Sequence, residues 1–582
     1  MIQELPVELL QEIVMYTPED VATLAKCSKR LCSRMLQFAT SIKGIKYIGI
    51  CKAFCNVKFF DLSKSKLWSI PTEVFQLKHL ETLNLSRNGI GVVPKEIVQL
   101  KALQNLDLSH NPIKSFPKKI VTLSTLRTLN LRDTCITQVP KNIDALKELH
   151  TLILYHNQMD SIPDSIGNLI FLQRLDLSYN RITVLPDCFA NLVFLESLEL
   201  CCNVLTDLPK SIGTLVSLHT LDVSYNEIHV IPEVILPQES GMVGIKSLTM
   251  LDLSGNHIRT IPDEIRKLQF LRKLSVTDNP IETIPKDIGA LKHLKVLDVS
   301  RNQLTEIPDE VCTLESLESL WLVNNRITSI PKQIGTLKSL QRLVLRRNRI
   351  VDISHEVSEL KALMELDLDA NQLTALPATM VELKFLTMLN LSDNHFDHIP
   401  PEIQGMHSLG LLDLSCNQIT QMPRWVGKLK SLRYLDMSYN RIKSICNSIG
   451  GLESLERLML SHNGIKKNSR SITMLKSLVQ LDLCSNQITL IPTTIGSLSS
   501  LVQLNLRKNQ IKKIPKEIGQ LKRLKTLDLT NNLIKTIPDE IEGLESLCKC
   551  ALANNQIDQI SDTLKSSSIF AKLVLDDNPI AL

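Results

Sequence analysis

The sequence lacks the features that mark membrane proteins and secreted precursors. Only 4% of the 582 residues are aromatic although 43% are hydrophobic, which predicts a core built mainly of leucine and isoleucine. No apolar run approaches the roughly 20 residues that a membrane-spanning helix needs. The N-terminal stretch MIQELPVELLQEIVMY lacks the basic start and the continuous apolar segment of a secretion signal. These absences predict a soluble protein in the cytoplasm, with the nucleus as the alternative compartment.

Charge and cysteine patterns exclude further classes. The formal net charge is only +5, and acidic and basic residues alternate without the basic block of a nucleic-acid-binding protein. The 14 cysteines are scattered, and no set of them has the spacing of a four-ligand zinc site. Extracellular repeat proteins commonly carry disulfides at their ends, so scattered cysteines favour a reducing compartment. We expect no cofactor, no metal site and no nucleic-acid partner.

Motifs of catalysis are missing as well. The chain has no Gly-Lys-Ser or Gly-Lys-Thr phosphate loop, no His-Glu-x-x-His motif and no nucleophile elbow. Its 13 histidines are dispersed, and isolated ones such as His110 and His462 are interpreted as surface residues. The sequence therefore predicts a protein that is not an enzyme.

What the chain does contain is a repeat. Asparagines recur at a spacing of 23 residues from Asn88 to Asn578, with Ser65 and Thr134 at the same position in two units, and about 23 units read LxxLxLxxNxIxxIPxxIxxL. The spacing changes once, because Asn226 and Asn256 are 30 residues apart. The seven extra residues lie near 236–247, and we interpret them as a tolerated surface loop rather than a binding insertion.

Each part of the unit has a physical reading. The alternating leucines of LxLxxN predict a short strand with one buried face. The asparagine side chain then satisfies backbone groups at a sharp turn, and proline fixes the return path. The IxxLxxL tail predicts a short helical turn on the convex side. No unit buries its leucines alone, so units must stack. We predict an α/β solenoid, shaped like a horseshoe, with a parallel sheet on its concave face.

The repeat resembles a known family. The pattern LxxLxLxxNxIxxIPxxIGxLxxL, as in residues 524–544, is similar to the intracellular leucine-rich repeats of Ras-binding scaffold proteins. The resemblance covers residues 57–582. It implies a protein-binding solenoid, and it is uninformative about the partner because the matching positions build the scaffold.

Residues 1–40 follow a different, helical period, and residues 41–56 are predicted to be a linker or cap. Thr17 precedes Pro18 as expected at a helix start, so the segment predicts two or three short helices. It resembles an F-box, a segment that binds a Skp-type adaptor, although Thr17 and Leu31 depart from that pattern. The resemblance implies adaptor-binding residues Leu5, Pro6, Leu9, Leu10 and Ile13. The alternative is a helical cap on the first repeat.

Binding residues are expected on the concave face, where the scaffold does not dictate the residue. Asp or Asn occupies the position between the two strand leucines in 15 of the 23 units, and this row is expected to be a solvated surface or to attract a basic partner. Departures from the row are the candidate partner-binding residues, because Trp, Tyr and Arg dominate binding interfaces. A first group comprises Trp321, Val323, Arg342, Val344, Arg346 and Arg347. A second comprises Ile153, Tyr155, His156, Tyr179 and Tyr225.

Two functional hypotheses follow from these resemblances. In the first, the chain is the substrate-recognition subunit of a cullin-type ubiquitin ligase, with a Skp-type adaptor at the N-terminus and the substrate on the concave face. In the second, it is a signalling scaffold that binds a Ras-like GTPase or its regulators, and the N-terminal helices only cap the solenoid. Both hypotheses describe a protein-protein recognition module.

Overall fold

The computed structural model describes a strand at 41–43 and residues 57–236, 244–466 and 470–580. The F-box-like segment, with its five predicted adaptor-binding residues, lies outside the described residues. So do seven residues of the predicted loop, 237–243. The chain divides into two compact units, residues 1–281 and residues 282–582.

Unit 1 is a parallel sheet backed by 3₁₀ helices. Each strand from β1 to β10 pairs in parallel with the next one along the chain; Leu83, for example, lies opposite Leu106. The strands are β1 Ser41–Lys43, β2 Phe59–Asp61, β3 Thr82–Asn84, β4 Asn105–Asp107, β5 Thr128–Asn130, β6 Thr151–Ile153, β7 Arg174–Asp176, β8 Ser197–Glu199, β9 Thr220–Asp222, β10 Met250–Asp252 and β11 Lys273–Ser275. The 3₁₀ helices are Thr72–Gln76, Lys95–Gln99, Ile120–Thr122, Ile143–Ala145, Asp164–Asn168, Asp187–Asn191, Lys210–Thr214, Glu233–Ile235 and Asp263–Lys267.

Unit 2 repeats this arrangement and includes a short α-helix, α1 Asp562–Ser566, near its C-terminal end. Its strands are β12 Val296–Asp298, β13 Ser319–Trp321, β14 Arg342–Val344, β15 Glu365–Asp367, β16 Met388–Asn390, β17 Leu411–Asp413, β18 Tyr434–Asp436, β19 Arg457–Met459, β20 Gln480–Asp482, β21 Gln503–Asn505, β22 Thr526–Asp528, β23 Lys549–Ala551 and β24 Leu573–Val574. Its 3₁₀ helices are Lys286–Ala290, Asp309–Thr313, Lys332–Thr336, His355–Glu359, Ala378–Glu382, Pro401–Gly405, Arg424–Lys428, Asn447–Gly451, Arg470–Met474, Thr493–Ser497, Lys516–Gln520, Asp539–Gly543 and Phe570–Lys572.

The core of each unit lies between the sheet and the 3₁₀ helices. Leu83 and Leu85 are fully buried, whereas Asn84 between them is half-buried on the other face. Pro94 precedes a 3₁₀ helix, and its carbonyl oxygen accepts a hydrogen bond from the N–H of Ile97 at 3.2 Å. The predicted solenoid with a parallel sheet is thus confirmed, and its helical turns are 3₁₀ helices. In the part of the chain that the structure describes, no helix has the length and apolar character needed to cross a membrane.

The asparagine that recurs in the repeats connects each repeat to the preceding one. Oδ1 of Asn111 accepts a hydrogen bond from the N–H of Ile90 in the preceding repeat at 3.0 Å. Its Nδ2 donates to the carbonyl oxygen of Leu85 in that repeat at 2.9 Å and to that of Leu108 in its own repeat at 3.0 Å. Asn111 is only 2% exposed, so these bonds satisfy backbone groups that water cannot reach. The same bonds recur along both units, so the asparagines form a ladder of hydrogen bonds, and we call their position the ladder position.

The residue before each ladder asparagine has a left-handed backbone. Its φ is near +55° in repeat after repeat, for example 54° at His110 and 56° at Tyr179. Few non-glycine residues adopt this conformation, and Asn, Asp and His tolerate it best. We call these positions the left-handed column. Because they turn the chain away from the strand, their side chains line one margin of the exposed sheet face.

Candidate binding surfaces on the sheet face

The sheet face is the side that carries the residues between the buried leucines, opposite the 3₁₀ helices. In unit 1 three residues of the second predicted group, Tyr155, His156 and Tyr179, form a contiguous aromatic cluster there. The rings of Tyr155 and Tyr179 are 4.9 Å apart, and His156 meets Tyr179 edge-on at 6.1 Å. The guanidinium of Arg132 lies 4.1 Å above the ring of Tyr155. Tyr179 is 44% exposed, so the cluster faces solvent.

A carboxylate holds two histidines beside these rings. Asp133 lies between His110 and His156, and each imidazole Nδ1 is 2.5 Å from one of its oxygens. Hydrogen bonds from His156 and His110 lower the pKa of Asp133, although partial burial opposes the shift. His156 is therefore fixed in orientation next to Tyr179. We call Arg132, Asp133, Tyr155, His156 and Tyr179 the tyrosine surface.

The remaining two residues of the second group, Ile153 and Tyr225, take no part in these ring contacts. Ile153 is half-buried in the strand that leads to Tyr155. Tyr225 is 54% exposed and packs over Gly255, where a Cβ atom would lie only 2.5 Å from its ring. Tyr179 lies between these two residues in the chain. A hydrogen bond with Cys202 raises the pKa of its phenol to about 12, so the phenol stays protonated.

The sequence reasoning missed Arg132, Asp133 and the role of His110. The signal was present, because His110, Asp133, His156 and Tyr179 all occupy the left-handed column on successive repeats. Residues 23 apart at one repeat position become neighbours on adjacent strands. Reading each column down the repeats, rather than each strand along the chain, would have brought these residues together.

In unit 2 the first predicted group is more firmly packed. Trp321 is half-buried and lies opposite Val344 on the adjacent strand. Val344 is only 3% exposed, so its side chain is buried although it was expected at the surface. The N–H of Val323 donates to Oγ of Ser300 at 3.2 Å. Among the described residues no arginine stacks on Trp321, because the neighbouring guanidinium groups pair with carboxylates.

The arginines of this group lean toward the next repeat. Nε of Arg346 is 2.5 Å from Oδ2 of Asp369, whose side chain is only 12% exposed. Nε of Arg342 is 3.3 Å from Oε2 of Glu365. Arg347 is exposed in the left-handed column. We call Trp321, Val323, Arg342, Arg346 and Arg347 the tryptophan-arginine surface.

The side chains of the Asp and Asn row are more buried than those of an open, solvated surface. Oδ1 of Asp107 accepts a hydrogen bond from the N–H of Ser109 at 2.8 Å, and the same bond recurs down the row. Asp176 is only 5% exposed and Asp367 only 8%. Burial raises the pKa of Asp367, and the nearby carboxylate of Asp369 raises it further. These residues shape the turn as well as the surface charge.

Nothing in the described ranges resembles a metal centre: no three His, Cys, Asp or Glu side chains there are grouped so that they could hold an ion. His110 and His156 both use their Nδ1 atoms on Asp133. The chemistry that this face offers is stacking, hydrogen bonding and charge pairing.

Sequence comparison identifies the repeat. The family described as leucine-rich repeat region matches residues 106–205, 240–326 and 424–507. The leucine rich repeat family matches residues 55–113, 194–258, 338–396, 385–442 and 499–557. Comparison with curated protein sequences gives no match. No match covers the F-box-like segment, and none points to a catalytic activity.

Solved structures of plant receptors resemble the chain. The plant peptide hormone receptor RGFR1, in complex with RGF2, has 28% identity and a TM-score of 0.65, and the alignment covers 93% of this chain and 90% of that one. The leucine-rich-repeat ectodomain of the Arabidopsis thaliana membrane receptor kinase GASSHO1/SCHENGEN3 has 27% identity and a TM-score of 0.50, covering 94% and 80%. PEPR1–AtPEP1, at 24% identity and a TM-score of 0.56, covers 94% and 87% and shares the fold.

This comparison contradicts the expected cytoplasmic location. The structures that resemble the chain include the ectodomain of a membrane receptor kinase, which lies outside the cytoplasm. The expectation rested on scattered cysteines, but a buried thiol such as Cys312 packs as a small apolar side chain and does not report the compartment. The prediction of a cytoplasmic chain is therefore wrong.

Proposed function

Because the chain belongs to the leucine-rich-repeat family, we propose that it recognises another protein by binding an extended segment of it across the tyrosine surface. The observation that carries the proposal is the contiguous contact of Arg132, Tyr155, His156 and Tyr179 on an exposed face. Exposed aromatic side chains are unfavourable on a surface that binds nothing, and they are enriched at interface hot spots.

The geometry suits an extended segment. Successive strands bring residues of one column close together, so the rings form a track that crosses repeats. Tyrosine offers a flat apolar ring together with a hydroxyl group at low entropic cost. Asp133 orients His156 in advance, which reduces the ordering that binding would require.

The similar structures support the same class of function. RGFR1 is described as a peptide hormone receptor and is bound to RGF2. At 28% identity, this likeness supports peptide recognition on the repeat scaffold and does not identify the peptide.

The test is a selection followed by measured affinities. Peptides are selected from a random display library with the full chain, and each is measured by calorimetry against the wild type and the Tyr155→Ala, Tyr179→Ala double variant. We expect the double variant to weaken binding by about 30-fold or more, because an aromatic hot spot is worth about 2 kcal/mol or more.

Tyr439→Ala is the matched control. Tyr439 occupies the same left-handed column, is 55% exposed and stacks on His462 in unit 2. Its removal should leave the selected peptides bound as tightly as before. Peptides that bind the double variant as well as the wild type, or that lose affinity equally with Tyr439→Ala, would contradict the proposal.

The narrower partner classes remain separate predictions. A Skp-type adaptor would bind through Leu5, Pro6, Leu9, Leu10 and Ile13, and a Ras-like GTPase or its regulators would bind the sheet face. Both hypotheses assumed a cytoplasmic chain, and no comparison supports either of them. Direct binding of purified adaptor or GTPase to the full chain, with Leu9→Asp, Leu10→Asp as the adaptor control, tests them independently of the tyrosine surface.

A further inference from the structure

Unit 2 carries a second surface with a different chemistry. Asp413 of β17 lies directly opposite Asp436 of β18. Burial raises the pKa of the nearby Cys416 thiol, and four carboxylates, those of Asp393, Asp413, Asp436 and Asp369, raise it further. They come from four consecutive repeats, β15 to β18. We call these four residues the acidic surface.

The acidic surface is short of counter-charge. Asp369 pairs with Arg346, but Asp393, Asp413 and Asp436 form no ion pair within the described part of unit 2. Burial raises the pKa of Asp413, and the carboxylates of Asp436 and Asp369 raise it further. The folded chain thus holds like charges together at a cost to its own stability.

An unsatisfied hydroxyl group points to a missing ligand at the same place. Ser438 is only 5% exposed, and its Oγ has no hydrogen-bond partner. The equivalent hydroxyl of Ser392, two repeats earlier, donates to Oδ1 of Asp369 at 2.6 Å, which shows that this repeat position projects into the acidic surface. Buried polar groups are rarely left unpaired without a functional reason.

We propose that the acidic surface binds a lysine- or arginine-bearing segment of a protein partner, with its cationic side chains among Asp393, Asp413 and Asp436. The carboxylates would accept hydrogen bonds from ammonium or guanidinium groups, and the small movement of Ser438 that places its Oγ in the contact would satisfy that oxygen. Charge-assisted bonds of this kind are stronger than neutral ones.

A side-chain cation fits better than a metal ion. The described residues include no group of His, Cys, Asp or Glu arranged to coordinate a metal. The carboxylates are instead spread over consecutive repeats, whose strands lie about 4.8 Å apart, a spacing that suits several cations on one extended chain. The proposal does not rest on the tyrosine surface, which belongs to unit 1.

The experiment compares aspartate-to-asparagine substitutions at two places in the full chain, a double substitution in the acidic surface and a single control outside it. Asp413→Asn with Asp436→Asn removes two charges but keeps the Oδ1 atoms that accept from Ser415 and Ser438. The control is Asp528→Asn, at the same repeat position and with the same bond to Thr530, but between Asn505 and Ala551. The probe is a fluorescein-labelled peptide of alternating arginine and serine, measured by anisotropy in low salt.

We expect the double variant to weaken binding of the arginine peptide about tenfold or more, and the control to leave it unchanged. A glutamate-serine peptide should not bind, and spermine should compete much more weakly than the arginine peptide. Equal affinity for the double variant and the control, binding of the glutamate peptide, or competition by spermine at the same concentration would overturn the proposal. The double variant should also unfold at the same or a higher temperature, which excludes misfolding as the cause.

Discussion

Residues at equivalent repeat positions make different contacts in the tyrosine surface and in the tryptophan-arginine surface. Arg132 and Arg346 both stand two residues before a ladder position, yet Arg132 lies on the half-buried ring of Tyr155 while Arg346 pairs with a carboxylate that is largely buried. Tyr179 faces solvent, whereas Trp321 is half-buried beside Val344. One group of residues is available to a partner, and most of the other is occupied by its own repeats.

The difference originates one repeat away. Residue 23 positions after Arg132 is Tyr155, and residue 23 positions after Arg346 is Asp369. In a stacked sheet each side chain meets its counterpart on the next strand before it meets solvent. The type of a single residue therefore does not predict which contacts it makes. The two residues that occupy the same position in successive repeats do predict them.

The largest effect should come from replacing the two arginines with methionine. Arg346→Met leaves the largely buried carboxylate of Asp369 without its cation and should lower the free energy of unfolding by about 2 kcal/mol. Arg132→Met removes a cation–π contact and should cost under about 1 kcal/mol. Denaturant unfolding of both variants checks this order. Equal losses would mean that the two surfaces are packed alike.

An intermediate effect is expected from exchanging glycine and alanine in the left-handed column. Gly255→Ala places a Cβ against the ring of Tyr225 at a φ of 63° and should destabilise the fold by about 1–2 kcal/mol. Ala370→Gly, at a φ of 53° in unit 2, relieves the same backbone strain and should cause no loss. Thermal unfolding distinguishes the pair, and a stable Gly255→Ala chain would show that Tyr225 has room to move.

The smallest effect concerns pH and has opposite signs in the two units. The lowered pKa of Asp133 means that its stabilisation is present above the ordinary value of 3.8 and is lost as the pH falls through the lowered pKa. The raised pKa of Asp413 means that the folded state is favoured below the ordinary value and loses stability as the pH rises through the raised pKa.

Asparagine substitutions test these signs. At pH 7, Asp133→Asn should lower the free energy of unfolding and Asp413→Asn should raise it, each by less than about 1 kcal/mol. The unfolding temperatures should shift in the same directions. The difference between Asp413→Asn and the wild type should vanish well below pH 4, where the wild-type carboxyl is protonated. Shifts of the same sign at pH 7 would refute the contrast between the two surfaces.

Much of the fold was predictable because its signals repeat. The spacing of the asparagines and the alternation around residues such as Leu83 indicate strands, turns and stacking without any knowledge of tertiary structure. The 3₁₀ form of the helical turns was less accessible, since five residues after Pro94 fit either helix. The sheet-face clusters were only partly predictable: Tyr155 and Tyr179 were identified by type, whereas Asp133 and the burial of Val344 depend on neighbours 23 residues away.

The left-handed column also limits which molecules such a protein can evolve to recognise. A β-branched side chain is poorly tolerated at φ near +55°, and no valine, isoleucine or threonine occurs among the column residues from Lys64 to Asp577. The residues tolerated at this margin are therefore aromatic, charged, amide-bearing or small. New specificities would arise mainly by exchanging rings and charges, while branched aliphatic contacts must come from the strands themselves.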